Sequence, residues 1–165
     1  LNNSDRIEKL LPFIEEFGTI FESYSVPRMS GRILGWLLVS DPPHQSAGQL
    51  AEVLQASKGA ISSPTQMLTR SGLVKKVKFP GDRKTYYVIP PGIWAELNNN
   101  RNRSTARYRR LAEEDLELIK DDPPEIRERL EEMHNIHAYF ERERPKMMQK
   151  WLEEWEAYQR EKNHE

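Results

Sequence analysis

The chain has 165 residues, 31% charged and 37% hydrophobic, which suits one globular domain or one domain with a helical extension. It has no cysteine, and that excludes disulfides, thiolate zinc sites and cysteine-based redox sensing together. The net charge of −1 hides an asymmetry: residues 1–25 sum to −3, 26–90 to +6, 91–112 to +4 and 113–165 to −8. A basic middle between acidic ends fits a surface that meets phosphates. The longest apolar run, Ile33 to Val39, is far short of the roughly 20 residues a membrane span needs. Leu1 to Asp5 shows no basic segment followed by an apolar one, so a cytoplasmic protein without membrane contact is expected.

In chain order, Ile7, Leu10, Leu11, Ile14, Phe17, Phe21 and Tyr24 recur at spacings of three and four, which predicts a helix from Ser4 or Asp5 to Tyr24. Either residue could cap it, and Pro12 should kink it or mark its true start. A second helix is expected over Arg28–Val39, between Pro27 and Asp41-Pro42-Pro43, apolar nearly all round and so buried on more than one side. Ser46 with Gln49 three residues on is a capping-box pattern, opening a helix with Leu50, Val53 and Leu54 inside. After a break at Gln55-Ala56, a further helix should run from Ser57 to Ser71 and close at Gly72. The period then shortens: Leu73 to Phe79, a turn at Pro80-Gly81-Asp82-Arg83, and Lys84 to Ile89 read as a β-hairpin. Beyond Pro90-Pro91-Gly92 a long helix is expected from Ile93 to about Lys120, with a polar centre at Asn98–Thr105. Asp121-Asp122-Pro123-Pro124 stops it and starts another, with Ile126, Leu130, Met133, His137 and Phe140 in one stripe. A last, separate helix is expected after Pro145, with Met148, Trp151, Leu152, Trp155 and Tyr158 on one side.

Two helices with a short break, followed by a basic hairpin, make a winged helix-turn-helix. The second helix of such a pair fits the DNA major groove, the first braces it, and the hairpin reaches the backbone or minor groove. At this point the sequence resembles the MarR-type regulators, and most closely their GbsR-like branch. Leu50-Ala51, Ser57-Lys58-Gly59-Ala60-Ile61-Ser62, Leu68, Ser71-Gly72-Leu73-Val74 and Pro80-Gly81-Asp82-Arg83-Lys84 carry the resemblance, with Pro27-Arg28, Gly31-Arg32-Ile33 and Gly35 on the GbsR-like side. It covers residues 27–92. It implies that Ser57, Lys58, Ser62, Ser63 and Gln66 form the outer face of the recognition helix, with Gln66 suited to read a base edge and Ile61 and Leu68 facing inward. It also implies that Arg83 enters a narrow minor groove, that Asp82 orients it by a salt bridge, and that Lys76, Lys78 and Lys84 line the wing. Two positions depart from the pattern: Pro64 lies inside the recognition helix, where it removes the bond to Ala60, and Gln55 stands where many relatives have glycine.

The expected fold is therefore mainly α with a two-stranded β-wing. Residues 26–92 form the reading head, and residues 1–25 and 93–165 a helical dimerisation region, because their amphipathic helices outnumber what one head can cover. The function implied is a homodimeric, sequence-specific regulator, a repressor, whose two heads read a pseudo-palindrome in double-stranded DNA. A winged-helix module that binds proteins instead is the alternative. The basic wing, the Ser/Lys/Gln outer face and the acidic flanks favour DNA.

Other features weigh less. Glu131, His134, His137 and Glu141 share a helix face, yet a metal would need a further ligand from elsewhere, and no metal or cofactor is expected. Tyr24, Trp36, Trp94, Tyr108, Tyr139, Phe140, Trp151 and Trp155 could line a cavity for a small-molecule effector, though core and dimer packing explain them equally well. Arg101, Arg103, Arg107, Arg109 and Arg110 make a second basic patch that either flanks DNA or pairs with Glu113, Glu114 and Asp115. There is no phosphate-binding glycine loop, G-x-S-x-G or His-Glu-x-x-His motif, so an enzyme is not expected.

Overall fold

A computed structural model describes residues 3–163. The elements are α1 (Asn3–Ser23), α2 (Arg28–Val39), β1 (His44–Ser46), α3 (Ala47–Val53), α4 (Lys58–Arg70), β2 (Lys75–Val77), β3 (Tyr86–Val88), α5 (Ile93–Leu118) and α6 (Pro124–Lys162). They fall into two compact units, Leu1–Ile93 and Trp94–Glu165. The expectation of a mainly helical fold with a small β-wing holds.

The first unit is built on a dry core: Ile14, Ile33, Leu34, Trp36, Leu37, Leu50, Leu54, Ile61, Leu68 and Val74 are all at most 3% exposed. Each fully buried Ile or Leu stabilises by about 1.5–3 kcal/mol. α2 is central to it, as its near-continuous apolar run requires. α1 packs closely on α2 because glycines allow it. A Cβ at Gly31 would lie 2.2 Å from the Phe17 carbonyl oxygen, and one at Gly35 would lie 2.9 Å from the Phe17 Cβ. Arg28 and Arg32 fasten the pair at Glu15, at 2.9 and 2.8 Å, and Arg32 also donates to the Leu54 carbonyl at 3.1 Å, tying α2 to the end of α3. Arg6 donates to the Val39 carbonyl at the far end. Residues 1–25 were grouped with the C-terminal helices from sequence, and α1 instead shares its core with the head through Ile14.

Local details follow the sequence closely. α3 opens with the capping box: the Ser46 hydroxyl accepts from the Gln49 N–H, and the Ser46 N–H donates to Gln49 Oε1 at 2.8 Å. α3 ends in a left-handed Gln55 (φ +50°), with the Ala56 N–H reaching back to the Ala51 carbonyl and the Gln55 N–H to that of Glu52. Gly72 ends α4 at φ +80°.

Three expectations need correction. Pro12 does not mark the start of α1 but lies inside it, and Ser4 and Asp5 are within that helix rather than ahead of it. The hairpin is joined by a third strand that the sequence did not signal: β1 pairs antiparallel with β3 (Ser46↔Tyr86), giving the order β1-β3-β2. Three residues, His44-Gln45-Ser46, are too few to show a period of two. Finally, Pro145 does not separate two helices, because α6 runs unbroken for 39 residues through it.

In the second unit, α5 is helical through its polar centre. Arg109 joins Glu141 of α6 and Glu113 of its own helix, both at 2.6 Å, and Arg144 donates to Thr105 Oγ1 at 2.7 Å. Thr105 and Ala112 are buried on α5, but no described residue of α6 is.

Candidate nucleic-acid interface

α4 starts at an N-cap, Ser57, whose hydroxyl oxygen accepts from the Ala60 N–H at 3.2 Å. Its apolar residues recur so that Ile61, Pro64, Thr65 and Leu68 are buried against the core. The opposite side, with Lys58, Ser62, Ser63 and Gln66, is exposed. Pro64 thus sits on the core side of an unbroken helix, away from the residues expected to meet DNA. Thr65 satisfies its hydroxyl within the same turn, donating to the carbonyls of Ile61 and Ser62 at 2.9 Å each. The Gln66 amide rests 3.5 Å from the Ser62 hydroxyl, loosely enough to leave it for another partner.

The wing continues the exposed surface. Of the nine Lys and Arg in residues 26–90, Arg28 and Arg32 are engaged by Glu15. The other seven, Lys58, Arg70, Lys75, Lys76, Lys78, Arg83 and Lys84, are all exposed, and among the described residues none is ion-paired. Asp41 and Glu52 are the only carboxylates of that stretch besides Asp82. The surface is therefore strongly positive where α4 and the wing lie.

Arg70 and Lys75 were overlooked in the sequence. Arg70 follows Gln66 by four residues, one turn further along the same helix face, and that spacing could have found it. Lys75 adjoins Lys76 at the start of the wing.

Asp82 departs from expectation. Its carboxylate is taken by the wing itself: Oδ1 accepts from the Lys84 N–H at 2.8 Å and Oδ2 from the Tyr86 hydroxyl at 2.6 Å. The salt bridge expected between Asp82 and Arg83 is not what holds the tip. An aspartate in a tight turn finds the backbone N–H two residues on before it finds a long flexible side chain. The Tyr86 hydroxyl, and then the Lys84 N–H, hold the Asp82 carboxyl below its usual range, and the same carboxylate pushes the Tyr86 phenol up. Tyr86 also packs with His44 and Phe79, centroids 5.2 and 5.3 Å away, with 4.6 Å between those two. This aromatic group roots the wing on β1.

Elsewhere, three of the four residues weighed as metal ligands are otherwise engaged, and His134 is exposed with its Nδ1 3.3 Å from Asn135 Oδ1. Glu131 pairs with Arg127 at 3.0 Å, Glu141 pairs with Arg109, and His137 Nδ1 lies 2.7 Å from the Met133 carbonyl with its ring against Tyr108. In the second patch, Arg109 and Arg103 have acidic neighbours on their own unit, Arg103 only at 3.9 Å from Glu96. Trp94, Asn98, Met147, Met148 and Trp151 border an open hollow of about 470 Å³ within the second unit. No helix of the described residues is long and apolar enough to cross a membrane.

Comparison with known proteins agrees with this geometry. Residues 24–85 match the MarR family, and residues 92–157 match the MmpR5-like MarR family transcriptional regulators. The HTH-type transcriptional regulator MmpR5 of Mycobacterium tuberculosis is 41% identical over 132 residues, 80% of each chain. A crystal structure of a transcriptional regulator is 37% identical, covers 88% of this chain and 99% of its own, and superposes with a TM-score of 0.75. The second match extends the kinship beyond residues 27–92, through the C-terminal helices. At this identity over this length the chain belongs to the MarR family: it is a DNA-binding transcriptional regulator of the MmpR5-like kind.

Proposed function

We propose that the chain acts as a homodimeric repressor that reads a pseudo-palindromic operator, with α4 in the major groove and the wing at the minor groove. The observation that carries this reading is the coincidence, in one compact unit, of an exposed Ser/Lys/Gln helix face with seven unpaired, exposed cations. Lys58, Lys76, Lys78 and Lys84, with Ser57, Ser62 and Ser63, would hold phosphates. Gln66 would read a base edge and Arg83 the narrow groove. Arg70 and Lys75 join this set. The dimer rests on the apolar residues that the second unit leaves open, among them Trp94, Leu111, Leu118, Ile126, Phe140, Trp155 and Tyr158, each at least 41% exposed. A surface that apolar over two long helices belongs to an interface. Residues 93–165 are thus the dimerisation region in this reading.

The hollow beside Trp94 and Trp151 suits an apolar small-molecule effector, which would act by preferring one spacing of the two heads. Kinship to the GbsR-like branch rests on Pro27-Arg28 and Gly31-Arg32-Ile33-Gly35. A cytoplasmic location accords with a DNA target.

Selection of fragments from random DNA tests the reading. An enriched palindrome is the expected result, with affinity falling steeply in salt. Gln66→Ala should then lose about 1–3 kcal/mol of preference at one base pair. No enrichment would instead favour a winged helix that binds protein.

A further inference from the structure

We infer that Tyr86 is the positioning residue of the wing: its hydroxyl, through Asp82, fixes the turn from which Arg83 projects. This rests on the reading of Arg83 as a DNA contact and adds what holds it in place.

The turn Pro80-Gly81-Asp82-Arg83 lies at the end of a short hairpin, with β2 and β3 only three residues each. Strands this short give the tip little ladder to lean on. Gly81 turns at φ +80°, and a glycine there leaves the tip many conformations to choose from. Three hydrogen bonds narrow the choice: the Asp82 N–H donates to the Phe79 carbonyl at 3.1 Å, and two more end on the Asp82 carboxylate. The bond from the Lys84 N–H to Asp82 closes the turn locally, but a turn closed only on itself could still swing as a body. The bond from Tyr86 prevents this, because Tyr86 is in β3 and is paired on both sides, with Val77 and with Ser46. Its ring is further held by His44 and Phe79. The path therefore runs from the β1–β3–β2 sheet, through one phenol, to one carboxylate, to the backbone flanking Arg83 on either side.

Arg83 itself is exposed and makes no ion pair with Asp82, so its guanidinium is left for DNA. A salt bridge from Asp82 would have neutralised part of it. Position is thus supplied through the backbone, and charge is kept free. A contact whose competent geometry is only fractionally populated loses affinity by that fraction.

The test uses the full chain and a duplex carrying the sequence that the parent chain enriches from random DNA. Tyr86→Phe removes the hydroxyl and keeps the ring in its aromatic group. It should weaken binding about three- to tenfold with an unchanged melting temperature. Arg83→Ala should weaken binding as well, and should cost less when made in the Tyr86→Phe background, because the two act on one contact. If Arg83→Ala weakens binding while Tyr86→Phe does not, or if the two losses simply multiply, the positioning role is overturned and the wing contact stands. If Arg83→Ala has no effect, the wing contact itself falls, and this inference with it. Should Tyr86→Phe lower the melting temperature, Asp82→Asn carries the test by the same criteria, since it replaces the charged acceptor and leaves Tyr86 in the sheet.

Discussion

The two units of this chain solve opposite problems. The first buries ten large apolar residues to 3% exposure or less around α2, while the 39 residues of α6 in the second bury none. Both are rich in apolar side chains, but only one has somewhere to put them. The difference teaches that the head has a core of its own, whereas the helical unit leaves apolar faces open that the proposed dimer would cover. A head with its own core would keep the α4 face and the wing rigid whether or not the proposed dimer changes shape. In the proposed dimer the helical unit would set the distance between the two heads without unfolding either.

The sharpest way to break this contrast is at Gly31. A methyl group there meets the Phe17 carbonyl at 2.2 Å, and backbone cannot step aside as a side-chain tip could. Gly31→Ala should destabilise the chain by about 3 kcal/mol, read from the denaturant midpoint of the head. A midpoint within experimental error of the parent would mean that α1 is not seated on α2 as described. The next effect belongs to the other unit. Trp155 is 45% exposed and stacks between Trp151 and Tyr158, at 6.1 and 5.5 Å between centroids. Trp155→Ala should weaken self-association by about 2 kcal/mol, roughly thirtyfold, in sedimentation equilibrium, with little change in the melting of the head. A parent chain that sediments as a monomer at micromolar concentration would remove the dimer altogether.

The same contrast explains what the sequence disclosed. The head was legible because its signals are local and redundant. Ser46 with Gln49 named a helix start, Gly72 named a helix end, and Ile61 and Leu68 faced inward at the expected spacing. What was missed left no local pattern in the sequence. β1 exists because Tyr86 to Val88 offers it an edge, and nothing in His44-Gln45-Ser46 announces that. Asp82 was matched with the neighbour of opposite charge, Arg83, whereas hydrogen-bond geometry gave it Tyr86, a residue with no charge to advertise it. In the second unit, Pro145 was read as a boundary because proline lacks an N–H, but a long helix can lose one bond and continue. The glycines Gly31 and Gly35 were read as part of a family pattern, and the structure supplies the reason: they bring two helix backbones together.

A smaller effect tests how α1 is fastened to the head. Hydrogen bonding from Arg28, helped by Arg32, holds the Glu15 carboxyl below the usual glutamate range. A carboxyl depressed in the folded state contributes stability above its unfolded value, and loses that contribution as pH falls through the folded value. Glu15 is 38% exposed, so the contribution is under about 1 kcal/mol. Glu15→Gln should therefore lower the denaturant midpoint slightly at neutral pH and leave it unchanged in acid, where the parent carboxyl is also neutral. An equal difference at both pH values would assign the effect to packing rather than charge.

The smallest effect lies in the turn between α3 and α4, and it changes sign. Gln55 sits at φ +50°, a conformation that costs an ordinary L-residue about 1–2 kcal/mol. Glycine would relieve that strain, but it brings more conformational freedom to the unfolded chain, worth about 0.5–1 kcal/mol in the other direction. The two nearly cancel, with the balance on the side of relief, so Gln55→Gly should raise stability by about 0.5 kcal/mol. Gln55→Ala keeps a Cβ at the strained position and should give no such gain. The pair of variants separates backbone from side chain: a rise with glycine alone places the effect in the backbone. A rise with alanine as well would mean that the Gln55 side chain, and not its left-handed backbone, is what the turn tolerates at a cost. In that case the joint that sets α4 against α3 would be governed by surface chemistry, as in the helical unit, and not by the close fit that governs the rest of the head.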